Sequence, residues 1–134
     1  TQRLIDSLRL ADCIDCCKGI SHEEMVEKYA LASVAVVPSS YEGFGLPAVE
    51  AMACGVPLVS TSGGALAEVV SDAALVVSPG DSDALAQQIR TLFDDQSLRA
   101  EYAARGLERV EQHFSWERCA ERMEAYYREC IGQC

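Results

Sequence analysis

Ser39-Ser40-Tyr41-Glu42-Gly43-Phe44-Gly45-Leu46-Pro47-Ala48-Val49-Glu50 is the stretch around which the chain is organised. It follows an apolar run, Ser33-Val34-Ala35-Val36-Val37, which reads as a buried parallel strand. It leads into Ala48 to Cys54, a compact helix-forming segment. Pro47 suits the first helical position, where its missing N–H has no partner to lose. Gly55 suits the left-handed position after the helix, and Pro57 blocks continuation. Strand, glycine loop and helix in that order put the helix N-terminus at the strand's carboxyl end. Free backbone N–H groups and a partial positive charge then point at one spot, and an anion, most often a phosphate, is the natural occupant.

Gly43 and Gly45 have no Cβ, so the backbone can turn sharply and approach a ligand closely. Glu42 enters the loop and Glu50 lies one turn into the helix, with seven residues between them. Two carboxylates beside an anion site are electrostatically odd if the ligand is only a phosphate. They make sense if they accept hydrogen bonds from the hydroxyls of a sugar or a ribose. On the residues alone a plainer account stands beside this one: Glu50 complements the helix dipole and Glu42 is a solvated loop residue.

The run Glu42-Gly-Phe-Gly-Leu-Pro-Ala-Val-Glu50-Ala-Met-Ala-Cys-Gly-Val-Pro resembles the Glu-x7-Glu signature of retaining glycosyltransferases of the GT-B fold, specifically family four (group 1). Val36-Val37-Pro38-Ser39 before it, Gly63-Gly64 and Glu68 after it, and Phe114-Ser115-Trp116 near the end fall in the family's order, so the resemblance covers essentially the whole chain. It implies that Glu42 and the amides of Gly43, Phe44, Gly45 and Leu46 hold the donor sugar and diphosphate, and that Glu50 holds the ribose hydroxyls. Ser39, Gly63 and Gly64 are further candidates for the donor-site loops. The donor is a nucleotide-diphosphate-sugar, and neither a cofactor nor a metal is implied.

Composition bounds the alternatives. The 134 residues fit one domain with enough chain for a core. A formal net charge of −10 argues against nucleic acid and against adhesion to anionic lipid through a basic patch. No apolar stretch approaches membrane-spanning length. No signal peptide is recognisable, and Thr1 in place of Met leaves room for an upstream segment. Seven cysteines include Cys13-Ile-Asp-Cys16-Cys17, but no second C-x-x-C exists to complete a metal site. The expectation is free thiols in a reducing compartment, with Cys54 and Cys119 as small core hydrophobes.

Taken in order, Leu4, Ile5 and Leu8 predict a helix over 1–11, and Cys13 to Cys17 a short strand. Ser21 with Glu24 forms a capping box for a helix to about Leu31, with Met25, Val26, Tyr29 and Ala30 on its inner face. After the signature come a strand over 56–60, the small-residue loop Thr61-Ser62-Gly63-Gly64, a short helix over 65–70 and a buried strand over 73–77. Asp81 caps a helix to about Phe93, and Asp95 or Ser97 one to about Gln112, with Gly106 inside it at some cost. Ser115 caps the last helix, whose Trp116, Cys119, Ala120, Met123, Tyr127 and Cys130 form a packing stripe. In family members that helix braces the other domain.

The alternation predicts an α/β fold, a Rossmann-like parallel sheet with flanking helices and ligands at the strands' carboxyl ends. The resemblance makes it the later part of the C-terminal domain of a GT-B fold. Residues 1–134 are then a single partial nucleotide-sugar-binding domain, without its first strands and without the acceptor domain. Those strands carry the family's Arg and Lys for the leaving diphosphate, and no Lys or Arg occurs here between Lys28 and Arg90. The parent is expected to transfer a sugar to a sugar, lipid-linked or other hydroxyl acceptor with retention, the leaving phosphate itself helping to deprotonate the acceptor. Glu42 is the residue assigned to catalysis. The chain alone is expected to be inactive and prone to self-association, and the parent to be cytoplasmic or peripheral at the inner face of a membrane. The alternative is a non-catalytic nucleotide-binding or interaction module on the same fold. A flavodoxin-like signalling domain would show Asp residues clustered at strand ends, whereas the run ending at Val37 continues into Pro38-Ser39.

Overall fold

The computed structural model describes residues 2–132. Three parallel strands, β1 (Ala35–Val37), β2 (Leu58–Thr61) and β3 (Ala74–Val77), lie side by side in chain order. Ala35 is in register with Leu58 and Leu58 with Ala74. The helices are α1 (Gln2–Ser7), α2 (His22–Leu31), α3 (Leu46–Ala53), α4 (Leu66–Val70), α5 (Ser82–Asp94), α6 (Gln96–His113) and α7 (Trp116–Gly132). Every residue of β2 is buried, as expected of a central strand covered on both faces. Met52, Leu58, Leu66 and Val70 are fully enclosed in the core. Helix α3 packs on β1, β2, α4 and α6, while α5 covers β2 and β3.

The boundaries follow local chemistry. Ser21 accepts from the Glu24 N–H at 3.2 Å and the Glu24 carboxylate accepts from the Ser21 N–H at 2.7 Å, completing the capping box. Asp81 accepts from the Ala84 N–H, and it is Asp95 that caps α6, accepting from the N–H groups of Ser97 and Leu98. Ser115 accepts from the Arg118 N–H at the start of α7. Gly55 ends α3 with φ +68° before Pro57. Because β1 and β2 are parallel neighbours, the loops that follow them emerge at the same end of the sheet.

Several expectations are corrected. Cys13–Cys17 is not a strand: a 3-10 turn covers Ala11–Cys13, and the chain from Ile14 to Ile20 is irregular and exposed. Ile14 has extended dihedrals, but an extended backbone becomes a strand only with a neighbour to pair with, and the described residues supply none there. Helix α1 stops at Ser7, and Arg9 turns the chain with φ +57°. Strand β1 is an edge, with only Val37 buried, rather than an enclosed strand. On α2 only Met25 and Tyr29 are partly covered, and Val26 and Ala30 are exposed. Cys119 is exposed and Cys54 only half-buried, so neither is a core residue. The described cysteines are free thiols; Cys134, like Thr1, lies outside the described residues. The α7 stripe is left exposed rather than packed, with Trp116 86% exposed.

Candidate functional site

The site begins where β1 ends. Pro38 to Phe44 leaves the sheet, and Gly45, with φ +97°, caps α3 in a left-handed conformation that a side chain would oppose. Leu46 is therefore the first helical residue and Pro47 the second, so the helix starts one residue earlier than the sequence suggests. Among the described residues, the N–H groups of Gly43, Phe44, Gly45 and Leu46 donate to no carbonyl. No atom outside its chain neighbours would crowd a Cβ on Gly43, so the loop is open on that side. Four unpaired donors beside a helix N-terminus form a surface suited to phosphate or hydroxyl oxygens.

The second glycine loop holds the first in place. Glu42 and Gly64 form a parallel bridge, and the Glu42 carbonyl accepts from the Ala65 N–H at 2.9 Å. A Cβ on Gly63 would run into the Ser40 carbonyl, and one on Gly64 into the Glu42 carbonyl. The Gly63-Gly64 pair is thus a place where two backbones meet, and it contributes to the site by fixing Glu42. The Glu42 side chain is half-buried and accepts a 2.7 Å hydrogen bond from the Ser39 hydroxyl at Oε1. The structure therefore brings Ser39, Glu42, Gly63 and Gly64 together.

Glu50 is half-buried on α3, beside Tyr29 of α2. The Tyr29 hydroxyl reaches the Pro47 carbonyl at 3.4 Å. Burial first, and the negative charge of Glu50 second, push the Tyr29 phenol above its ordinary pKa. Phe44 and Leu46 point outward, 44% and 61% exposed, and the Phe44 ring meets Phe114 edge to face at 5.7 Å.

Sequence order hid the positive charge. A cavity of about 420 Å³ is lined by Gly43, Phe44 and Glu68 together with Arg109, His113 and Arg122. Arg109 is spent on structure: it donates to the carbonyls of Glu68 and Val69 and lies over the Phe114 ring. Arg122 has no ion-pair partner among the described residues. The interval from Lys28 to Arg90 is without cations in sequence, but two later residues return basic groups to its loop. Only the fold brings them there, since they arrive on α6 and α7. Among the described residues no cluster of His, Cys, Asp and Glu could hold a metal ion, and no helix is long and apolar enough to cross a membrane.

Comparison with known proteins adds to this geometry. The family described as glycosyl transferases group 1 matches residues 1–109. The chain is 39% identical over 136 aligned residues to an MMP alpha-(1->4)-mannosyltransferase of Mycolicibacterium hassiacum, covering 99% of this chain and 33% of the relative. It is 48% identical over 100 residues to O-antigen chain mannosyltransferase B of Escherichia coli, covering 75% of this chain and 26% of that protein. Among solved structures, sucrose-phosphate synthase from Thermosynechococcus elongatus superposes with a TM-score of 0.87 at 36% identity, over 99% of this chain and 34% of that one. The C-terminal domain of a glycosyl transferase group 1 family protein from Francisella tularensis gives a TM-score of 0.75 at 29% identity, over 86% of this chain and 60% of that one. The chain spans a third or less of the length of these curated relatives.

Proposed function

The chain belongs to the group 1 glycosyl transferases, and we propose that it is the later part of the donor-binding domain of an enzyme that transfers a sugar from a nucleotide-diphosphate-sugar to a hydroxyl acceptor with retention. The observation that carries the reading is the local build of one loop. A carboxylate held by the Ser39 hydroxyl, on a backbone fixed by Gly64, stands next to four unpaired amides, and a second carboxylate lies one turn into the helix. Glu42 accepts from hydroxyls of the donor sugar and orients it, making it the residue nearest the chemistry. The amides from Gly43 to Leu46 hold sugar and phosphate oxygens, and Glu50 accepts from the ribose hydroxyls.

In the step itself the bond between the anomeric carbon and the phosphate oxygen breaks. The acceptor oxygen bonds to that carbon on the same face, its proton passes to the leaving phosphate, and a nucleoside diphosphate is released. No protein nucleophile and no metal are assigned. The donor is a substrate, and the acceptor would be held by a part of the protein outside this chain. A supply of nucleotide-sugar places the enzyme in the cytoplasm or at the inner face of a membrane. Of the two arginines lining the loop's cavity Arg109 is committed to backbone carbonyls, which supports the view that turnover needs the rest of the protein.

The test is to incubate the full-length protein with a panel of nucleoside diphosphate sugars and acceptor candidates. Nucleoside diphosphate release and the anomeric configuration of the product, read by proton NMR, are scored. Transfer with retained configuration is the expected result. Inverted product would overturn the stereochemical reading, and tight donor binding without release would favour a non-catalytic nucleotide-binding module.

A further inference from the structure

Two buried hydroxyls at the end of β2 behave differently. Ser60 is fully buried and satisfies its hydroxyl next door, donating to the Thr61 carbonyl at 3.1 Å. Thr61, 2% exposed, instead reaches across 22 residues of sequence and donates to the carbonyl of Ser39. The Ser39 hydroxyl in turn donates to Glu42 Oε1 at 2.7 Å. A hydroxyl has a single proton, so each of these donors is committed to its one acceptor. Thr61 is also β-branched, which leaves its hydroxyl few directions once the methyl is packed. The backbone of Glu42 is already fixed by Gly64 and Ala65. What remains free is the rotation of its carboxylate, and Ser39 selects one setting. Glu42 Oε2 has no partner among the described residues and is left for a ligand hydroxyl.

We infer that Thr61 is a positioning residue for transfer: through Ser39 it fixes the Glu42 carboxylate, with Oε1 engaged by protein and Oε2 reserved for the donor sugar. This rests on the assignment of Glu42 to the donor. It adds that the catalytic carboxylate is aimed from the central strand of the sheet rather than from its own loop alone. Contacts that matter more in the transition state than in the bound donor appear in kcat rather than in KM.

The experiment is steady-state kinetics on the full-length enzyme with Thr61→Val, Thr61→Ser, Ser39→Ala, the double variant Thr61→Val/Ser39→Ala, Ser60→Ala and Glu42→Ala. Losing one aligned hydrogen bond is expected to lower kcat of Thr61→Val by about three- to tenfold, with donor KM within about twofold of wild type. Thr61→Ser keeps the hydroxyl and is expected to restore kcat. Ser39→Ala should fall like Thr61→Val, and the double variant should fall no further, because both changes cut one relay. Ser60→Ala, whose buried hydroxyl bonds only the neighbouring Thr61 carbonyl, should lose less than Thr61→Val, and an equal loss would mean that disturbing β2 rather than deleting the Thr61 hydroxyl slows transfer. If Thr61→Val does not fold, Thr61→Cys, whose thiol is a weak donor, carries the comparison. Wild-type kcat in the hydroxyl-deleted variant, or additive losses in the double variant, would overturn the relay. If Glu42→Ala is slow while Thr61→Val is not, the relay alone fails. If Glu42→Ala turns over like wild type, the donor reading itself fails.

Discussion

Tyr29 is the residue whose surroundings say most about Glu50. Its phenol is half-buried between α2 and the start of α3, and ionising it would place a second negative charge beside the Glu50 carboxylate. Burial is the larger cause and Glu50 the next, and both raise the phenol's pKa above its ordinary value of 10.0. The neutral form is therefore favoured by folding. Its contribution is complete below the ordinary tyrosine value and is lost as pH rises through the higher folded value. A spectrophotometric titration should show that Tyr29→Phe removes one tyrosinate step lying above the ordinary range; an unchanged alkaline limb would place Tyr29 away from Glu50. Glu42 and Glu50 were legible in the sequence because they share one short stretch with the glycines that give them meaning. Tyr29, Thr61 and Arg122 were not, because each acts on that stretch from a different element.

At the scale of elements, the two glycine loops succeed or fail together. Gly64 has φ +64°, and a Cβ there would overlap the Glu42 carbonyl, so Gly64→Ala must both strain its own backbone and push the signature loop away. The expected cost is about 1–3 kcal/mol of stability, read as a lower thermal midpoint, with loss of donor turnover. A variant as stable and active as wild type would show that the loops do not lean on each other. Gly106 teaches the complementary lesson. In sequence it is only a poor helix former, yet it is buried where α6 crosses α3, and a Cβ would lie 3.2 Å from Met52 Cγ. Helices announced themselves through caps: Ser21, Asp81 and Ser115 cap as read, and of Asp95 and Ser97 it is Asp95 that caps α6. The segment Cys13 to Cys17 misled because strand composition is a request for a neighbour, and whether one is present is not written locally.

On the whole molecule, apolar surface is left where function would use it. Strand β1 is an open edge with Val36 37% exposed, and a groove of about 310 Å³ runs beside it between Ile20, Met25, Tyr29 and Pro47. A larger cavity of about 510 Å³ lies between the signature loop and α7, walled by Phe44, Leu46, Phe114, Trp116 and Met123. Unpaired edges and apolar grooves of this kind recruit other chains. The isolated 134-residue chain is therefore expected to self-associate in light scattering despite its negative charge. A monodisperse, cooperatively melting monomer would show that the open edge is tolerated. The α/β class was readable from the alternation of apolar runs and caps, whereas which surfaces remain uncovered emerges only once the strands are laid side by side.

In the proposed function, one loop and one helix divide the donor between two carboxylates, Glu42 for the sugar and Glu50 for the ribose. Steady-state kinetics of Glu42→Ala and Glu50→Ala in the full-length enzyme test it most directly. Ribose contacts are equally strong before and during reaction, whereas contacts at the sugar strengthen as charge develops there. Glu50→Ala should raise the donor KM about tenfold or more with kcat near wild type, and Glu42→Ala should lower kcat by about a hundredfold with a smaller change in KM. The reverse pattern, or wild-type kinetics in either variant, would contradict the division of roles.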